Sequence, residues 1–253
     1  MKTNLKTISA IAAGLSLSVL PVFAGTTCPE GGTGTKFRFA EVGGSMVDVG
    51  RMNDRLADRG LPQFSQYAAS LGFGHNLNVG RLTFEHQLNG LMWMSQTAGG
   101  VKGSLWSGQY TSTTGFDVLP TKLPVRLYPY LGAGFGMTRL ELYDNKRSFS
   151  DVVAAPHTAL MLTQGTLLLT GGVGADFAVP VHKGAKTLGI GVRAGYMFDP
   201  TRTDRWWSNG SRITGGPEPL LNGVYGKLVF GTIKPVKHEK RDWSSMGKCE
   251  KKS

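Results

Sequence analysis

One stretch constrains this chain more than any other: residues 123–142, LPVRLYPYLGAGFGMTRLEL. Its odd positions carry Leu123, Val125, Leu127, Pro129, Leu131, Ala133, Phe135 and Met137. Its even positions carry Pro124, Arg126, Tyr128, Tyr130, Gly132, Gly134, Gly136 and Thr138. Side chains alternate across a strand, so the segment has one apolar face and one face of glycine, hydroxyl and charge. It is longer than the mean globular strand, and its period of two fits no helical stripe. The simplest structure that needs such strands is a closed barrel in a bilayer, with lipid outside and a polar lumen within.

The beginning of the chain points to the compartment. Lys2 and Lys6 form a positive region, residues 8–20 are an apolar run, and Val22-Phe23-Ala24 puts small residues before a cut at Gly25. This is the pattern of a secretory leader, and the run is too short for a membrane helix. Its removal lowers the formal net charge from +11 to +9 by taking away Lys2 and Lys6. No other stretch is long and apolar enough to span as a helix, in keeping with a mean hydropathy of −0.12. The expected organisation is a leader over 1–24, a periplasmic segment over 25–35, a barrel over 36–233 and a basic periplasmic tail over 234–253. An even strand count brings Cys28 and Cys249 to the same side of the membrane. There they either pair in the oxidising periplasm or remain two free thiols.

Period-two reading finds strands near 36–49, 64–77, 80–95, 105–118, 122–142, 165–181, 186–199 and 222–233. Arg81–Met94 shows the pattern well: Leu82, Phe84, Leu88, Met92 and Met94 share one face, and Arg81, Thr83, Glu85, Gln87 and Asn89 the other. Connections after the even strands are short, near 78–79, 120–121 and 182–185. Those after the odd strands are longer, near 50–63, 96–104, 143–164 and 200–221. Outer-membrane barrels have short periplasmic turns and longer extracellular loops, and eight strands reproduce that pattern. The expected fold is therefore all-β: an eight-stranded antiparallel up-and-down transmembrane β-barrel.

A soluble lipocalin-type barrel also has eight alternating strands, with its apolar side inside. Aromatic placement favours the membrane. Phe37, Phe39, Phe73, Phe84, Phe116, Phe177 and Phe230 fall toward the periplasmic ends, and Tyr67, Trp106, Tyr110, Tyr196 and Phe198 toward the extracellular ends. Two such belts around an aliphatic band are an interfacial device. The polar face is read as a lumen charge network of Arg38, Arg81, Arg126, Arg193 and Lys227 against Asp48, Glu85, Asp117 and Asp176. An eight-stranded barrel is just wide enough to be filled by its own side chains, so ion pairs are expected to plug it. Glycines 132, 134, 136, 172, 174, 189, 191 and 195 make room for them. Pro129 lacks a ladder donor, which predicts a bulge or locally frayed pairing.

Other motifs are weighed against simpler readings. Val49, Met52 and Leu56 lie at helical spacing ahead of Gly60 and Pro62, predicting a short amphipathic helix that caps the barrel mouth. In loop 200–221, Arg202, Arg205, Trp206, Trp207 and Arg212 either contact lipopolysaccharide phosphates and sugars or form an anchoring belt. An enzyme that modifies lipid A would draw on His157 near Ser148, Ser150 and Asp151, but no signature spacing holds a base against a hydroxyl there. The chain is read as no enzyme. His75, His86, His182 and His238 are scattered, His86 on the lipid-facing phase, so no metal or other cofactor is expected. The lysine-rich tail is read as a solvated extension that touches the inner leaflet or peptidoglycan. The compartment excludes nucleic acid.

The leader, eight strands and loop asymmetry resemble the small eight-stranded outer-membrane barrels of the OmpA and OmpX type. Within them, Leu127-Tyr128-Pro129-Tyr130-Leu131-Gly132-Ala133-Gly134 and Gly191-Val192-Arg193-Ala194-Gly195-Tyr196 resemble strands of the uncharacterised outer membrane β-barrel family. The resemblance implies an architecture and a location, the bacterial outer membrane, and carries over no functional residue. The tail beyond Phe230 departs from the terminal aromatic of such barrels. The expected function is a monomeric barrel with a structural or surface-interaction role, its partners being outer-membrane lipid and lipopolysaccharide. A lipid A-modifying barrel enzyme or a narrow channel is the alternative.

Overall fold

A computed structural model describes residues 34–120, 123–144, 160–181, 186–201, 205–216 and 221–236. The chain runs β1 (Gly34–Val47), α1 (Gly50–Ala57), β2 (Tyr67–Val79), β3 (Leu82–Met92), β4 (Gln96–Ala98) and β5 (Val101–Phe116). It continues through β6 (Val125–Asp144), β7 (Leu160–Val181), β8 (Lys186–Phe198), β9 (Trp206–Ser208), β10 (Ser211–Ile213) and β11 (Gly223–Val236). The eight long strands pair antiparallel in the order β1-β2-β3-β5-β6-β7-β8-β11, and β11 returns to β1 with Phe230 opposite Ala40. The ring is closed. Closure leaves no open edge in the ring, which is what a backbone surrounded by hydrocarbon requires.

All eight long strands match runs expected from the alternation. Two small hairpins do not: β4 folds onto the start of β5, and β9–β10 leans on β7 through Thr163 and Trp207. Strands of three residues are too short to display a period. β11 also extends to Val236, so Lys234 belongs to a strand rather than to the start of a tail. At Pro129 the register does not shift. β6 stays paired with β7 there, while its ladder with β5 ends at Gly115 and Tyr130, as a missing donor dictates.

Short connections, such as Gly80-Arg81 with Gly80 at φ 59°, share an end with the start of β1 and the close of β11. The longer connections occupy the other end, which is therefore extracellular. There α1 lies as the spacing of Met52 and Leu56 predicts, with both side chains buried. Asn53 fixes the segment that follows: its Nδ2 donates to the Phe64 carbonyl at 2.7 Å, and its Oδ1 accepts from the Phe64 amide at 2.8 Å.

The faces divide as the alternation demands. Leu131 is 74% exposed, Phe73 62%, Leu71 59% and Leu228 56%, whereas Glu41 and Arg193 are fully buried. An apolar exterior around an ionic interior is covered only by lipid, so the barrel spans a membrane, and barrels of this kind lie in the bacterial outer membrane. Phe37 and Phe39 correct the belt assignment: they point inward and pack with Val229. Phe73, Phe116, Phe177 and Phe230 do face outward at that end.

The outward apolar phase stops at Met137. Beyond it Arg139 and Glu141 point outward, joined at 2.7 Å, while Leu140 and Leu142 turn in. The barrel wall thus continues past the hydrocarbon, and its interior there becomes that of a water-soluble protein. Leu91, Trp93, Leu105, Leu168, Met197 and Trp206 join Met52 and Leu56 in this apolar upper core.

Candidate functional site: the barrel interior

Beneath the apolar core lies a polar network contributed by every strand of the ring except β5. Arg193 on β8 sits at its centre. Its Nη2 donates to Glu85 Oε2 at 2.8 Å and its Nη1 to Asp176 Oδ1 at 2.7 Å, so one guanidinium fork bridges β3 and β7. The rings of Tyr128 and Phe39 lie 5.2 Å and 5.8 Å from its charged carbon, adding cation–π attraction on desolvated faces. Two carboxylates face one cation here. The surplus negative charge is held by neutral donors: Tyr128 Oη donates to Asp176 Oδ2 at 2.9 Å, and Asn76 Nδ2 reaches both carboxylates at 3.4 Å.

A second pair stands beside the first. Lys227 Nζ donates to Glu41 Oε1 at 2.9 Å and to Gln87 Oε1 at 3.1 Å, and Gln87 Nε2 donates to Glu85. Gln87 therefore links the two ion pairs into one network. Toward the extracellular side follows a hydroxyl layer, in which Tyr225 Oη lies 2.8 Å from both Tyr130 Oη and Thr170 Oγ1. A void of only about 20 Å³ remains among Ser45, Gln109, Thr113 and these hydroxyls. Glycines allow the large side chains to lie flat. A Cβ on Gly174 would stand 2.7 Å from the Tyr128 ring, and one on Gly189 would stand 2.5 Å from Phe37.

The structure brings Glu85, Asp176, Arg193 and Lys227 of the expected network together. It moves three others out. Arg38 is exposed on the outer wall, Asp48 is exposed beyond the end of β1 with its Oδ1 accepting from the Gly50 amide at 3.1 Å, and Arg81 lies in a turn over the Phe116 ring. Asp117, just past β5, and Arg126, at the start of β6, pair at 2.9 Å at the periplasmic end, apart from the central cluster. Glu41, Asn76, Gln87 and Tyr128 are interior members that the charge reading passed over. Glu41 shares the inward phase with Phe37 and Phe39, whose rings make that phase of β1 look apolar.

Of the loop residues, Trp206 is fully buried and so unavailable to lipid. Trp207 is half exposed and stands opposite Arg212 across the β9–β10 hairpin, while Arg205 is exposed just before it. Arg202, Cys28, Cys249, His182, the leader, the tail from 237 on, and His157 with Ser148, Ser150 and Asp151 lie outside the described residues. His75 and His86, eleven residues apart in sequence, become register partners on the outer wall with ring centres 5.3 Å apart.

No family model matches the sequence, and no curated protein matches it. Among solved structures, the chain is similar to small outer-membrane β-barrels. Neisserial surface protein A shares 15% identity at a TM-score of 0.41, over 80% of this chain and 97% of that one. A major outer membrane protein of Thermus thermophilus shares 12% at 0.48, over 78% and 99%. Ail, the attachment invasion locus protein of Yersinia pestis, solved with the heparin analogue sucrose octasulfate, shares 11% at 0.41, over 80% and 99%.

Proposed function

We propose that this barrel is a closed, non-enzymatic protein of the outer membrane that acts through its extracellular surface. The observation that carries this reading is the burial of Arg193 between Glu85 and Asp176 beneath the α1-capped apolar core. An ion crossing the lumen would have to break a desolvated charge network and then pass an apolar layer. The working surface is then the loop end, where Trp207 and Arg212 offer one ring and one guanidinium side by side. That pairing suits sugar and phosphate of lipopolysaccharide, the ring stacking and the guanidinium taking the phosphate in two parallel bonds.

Planar bilayers test the closed lumen. The purified chain is expected to give no discrete conductance steps, and steps that persist across preparations would overturn it. For the surface, the W207A/R212Q variant is expected to bind immobilised lipopolysaccharide more weakly while keeping heat-modifiable gel migration. Equal retention of both proteins would remove that role from the hairpin.

A further inference from the structure

Near its periplasmic end the outer wall carries a mainly apolar groove in which basic and imidazole side chains stand among the apolar ones. It opens over β11, β1, β2, β3 and β5, with a volume of about 800 Å³, and Lys36, Arg38, His75, His86 and Tyr110 line it. The register lays Thr232, Arg38, His75, His86 and Ser112 in one row across those strands. Lys36 and Lys234 face each other one step nearer the periplasmic end. Tyr110 Oη and His86 Nδ1 are 2.9 Å apart, which holds that ring in place.

Charge decides what such a groove takes. The outward phase of β11, β1, β2 and β3 holds no Asp or Glu, and among the described residues neither Lys36 nor Arg38 has a carboxylate within ion-pair distance. A cation on the lipid face is costly toward the midplane and cheap only near an interface. Arg38 is the fifth residue of β1 and so stands near the periplasmic end of the wall, the end that meets the inner-leaflet headgroups. Above it the next row reads Phe230, Ala40, Phe73, Leu88. Ala40, the smallest of the four, leaves a slot between two phenyl rings that suits an acyl chain. A second copy of this barrel would bring the same cations and no counter-charge.

We infer that this groove is a binding site for an anionic glycerophospholipid of the periplasmic leaflet. The Arg38 fork and Lys36 hold the phosphate, the two histidines add ring N–H donors, and one acyl chain follows Ala40 between Phe73 and Phe230.

The test uses the full mature chain in phosphatidylcholine nanodiscs doped with phosphatidylglycerol, with the lipid retained on the protein read by native mass spectrometry. Phosphatidylglycerol is expected to be enriched, and K36Q and R38Q each to lower the enrichment by about fivefold, the effect of one basic side chain at a membrane surface. R38K is expected to recover part of it, and R81Q, which removes a cation at the same end but outside the groove, to change nothing. Heat-modifiable migration reports that each variant is folded. The assignment is overturned by unchanged retention in the K36Q/R38Q double variant, or by an equal loss in R81Q. Equal enrichment of lipid A, displacement by millimolar inorganic phosphate, or retention only on dimers would overturn it as well.

Discussion

Arg193 shows how one side chain can organise an interior. Removing one partner of a buried ion pair strands the other at a cost of about 3–5 kcal/mol, whereas replacing a whole set with apolar groups of similar volume is close to neutral. Arg193→Ala leaves Glu85 and Asp176 facing each other without a cation and is expected to lower stability by about that amount. The combined R193M/E85M/D176L variant is expected to regain most of the loss. Urea unfolding in lipid vesicles, followed by tryptophan fluorescence, measures both. A loss from R193A below about 1 kcal/mol, the range of exposed pairs, would mean that water reaches the cluster. The ion pair itself was partly legible, because Arg193 and Glu85 sit on clean polar phases. Their partnership was not, because β3 and β8 meet only across the lumen.

At the scale of elements, β6 and α1 carry opposite lessons. On β6, alternation alone separates the Leu131 face from the Tyr130 face, and a lapse in that alternation at Thr138 marks where the strand leaves lipid. Gly134 shows why the polar face is glycine-rich, since a Cβ there would lie 2.0 Å from the Tyr110 carbonyl of the adjoining β5. Gly134→Val is therefore expected to destabilise the β5–β6 pair, seen as a lower temperature for heat-modified migration. Helix α1 is legible from its spacing, yet what it covers is set by Leu91, Leu105 and Leu140 from distant strands. Leu56→Asp buries a carboxylate in that apolar core. It is expected to free the 48–66 segment for protease cleavage while the membrane-embedded strands stay protected, and fragment masses from shaved vesicles check it. Cleavage within β1 or β2 would show that the cap and the ring unfold as one.

For the whole molecule, the inside-out division of polarity fixes the depth at which the barrel sits. Leu131 occupies the middle of the outward band of β6, and Glu141 lies beyond its edge. Leu131→Arg is expected to cost about 2–4 kcal/mol, while a cation placed at Glu141 costs about 0–1 kcal/mol. Unfolding in vesicles of one thickness compares the two, and equal costs would move the hydrocarbon boundary up the strand. The polar row through Arg38 and His86 breaks this division on one side of the barrel only. That asymmetry is invisible along the chain because its members come from five strands.

The sequence by itself determined the number of long strands, the hand-off between short and long connections, and the face that every strand except β1 turns to lipid. Period-two patterning is local, and a closed ring of neighbours follows from it. Only the tertiary structure decided which inward charges meet, that Phe37 and Phe39 lie inside while Arg38 lies outside, and that the upper interior is apolar. Those outcomes depend on register across the lumen and around the wall, where residues far apart in the chain stand within a few ångströms and no periodicity records the encounter.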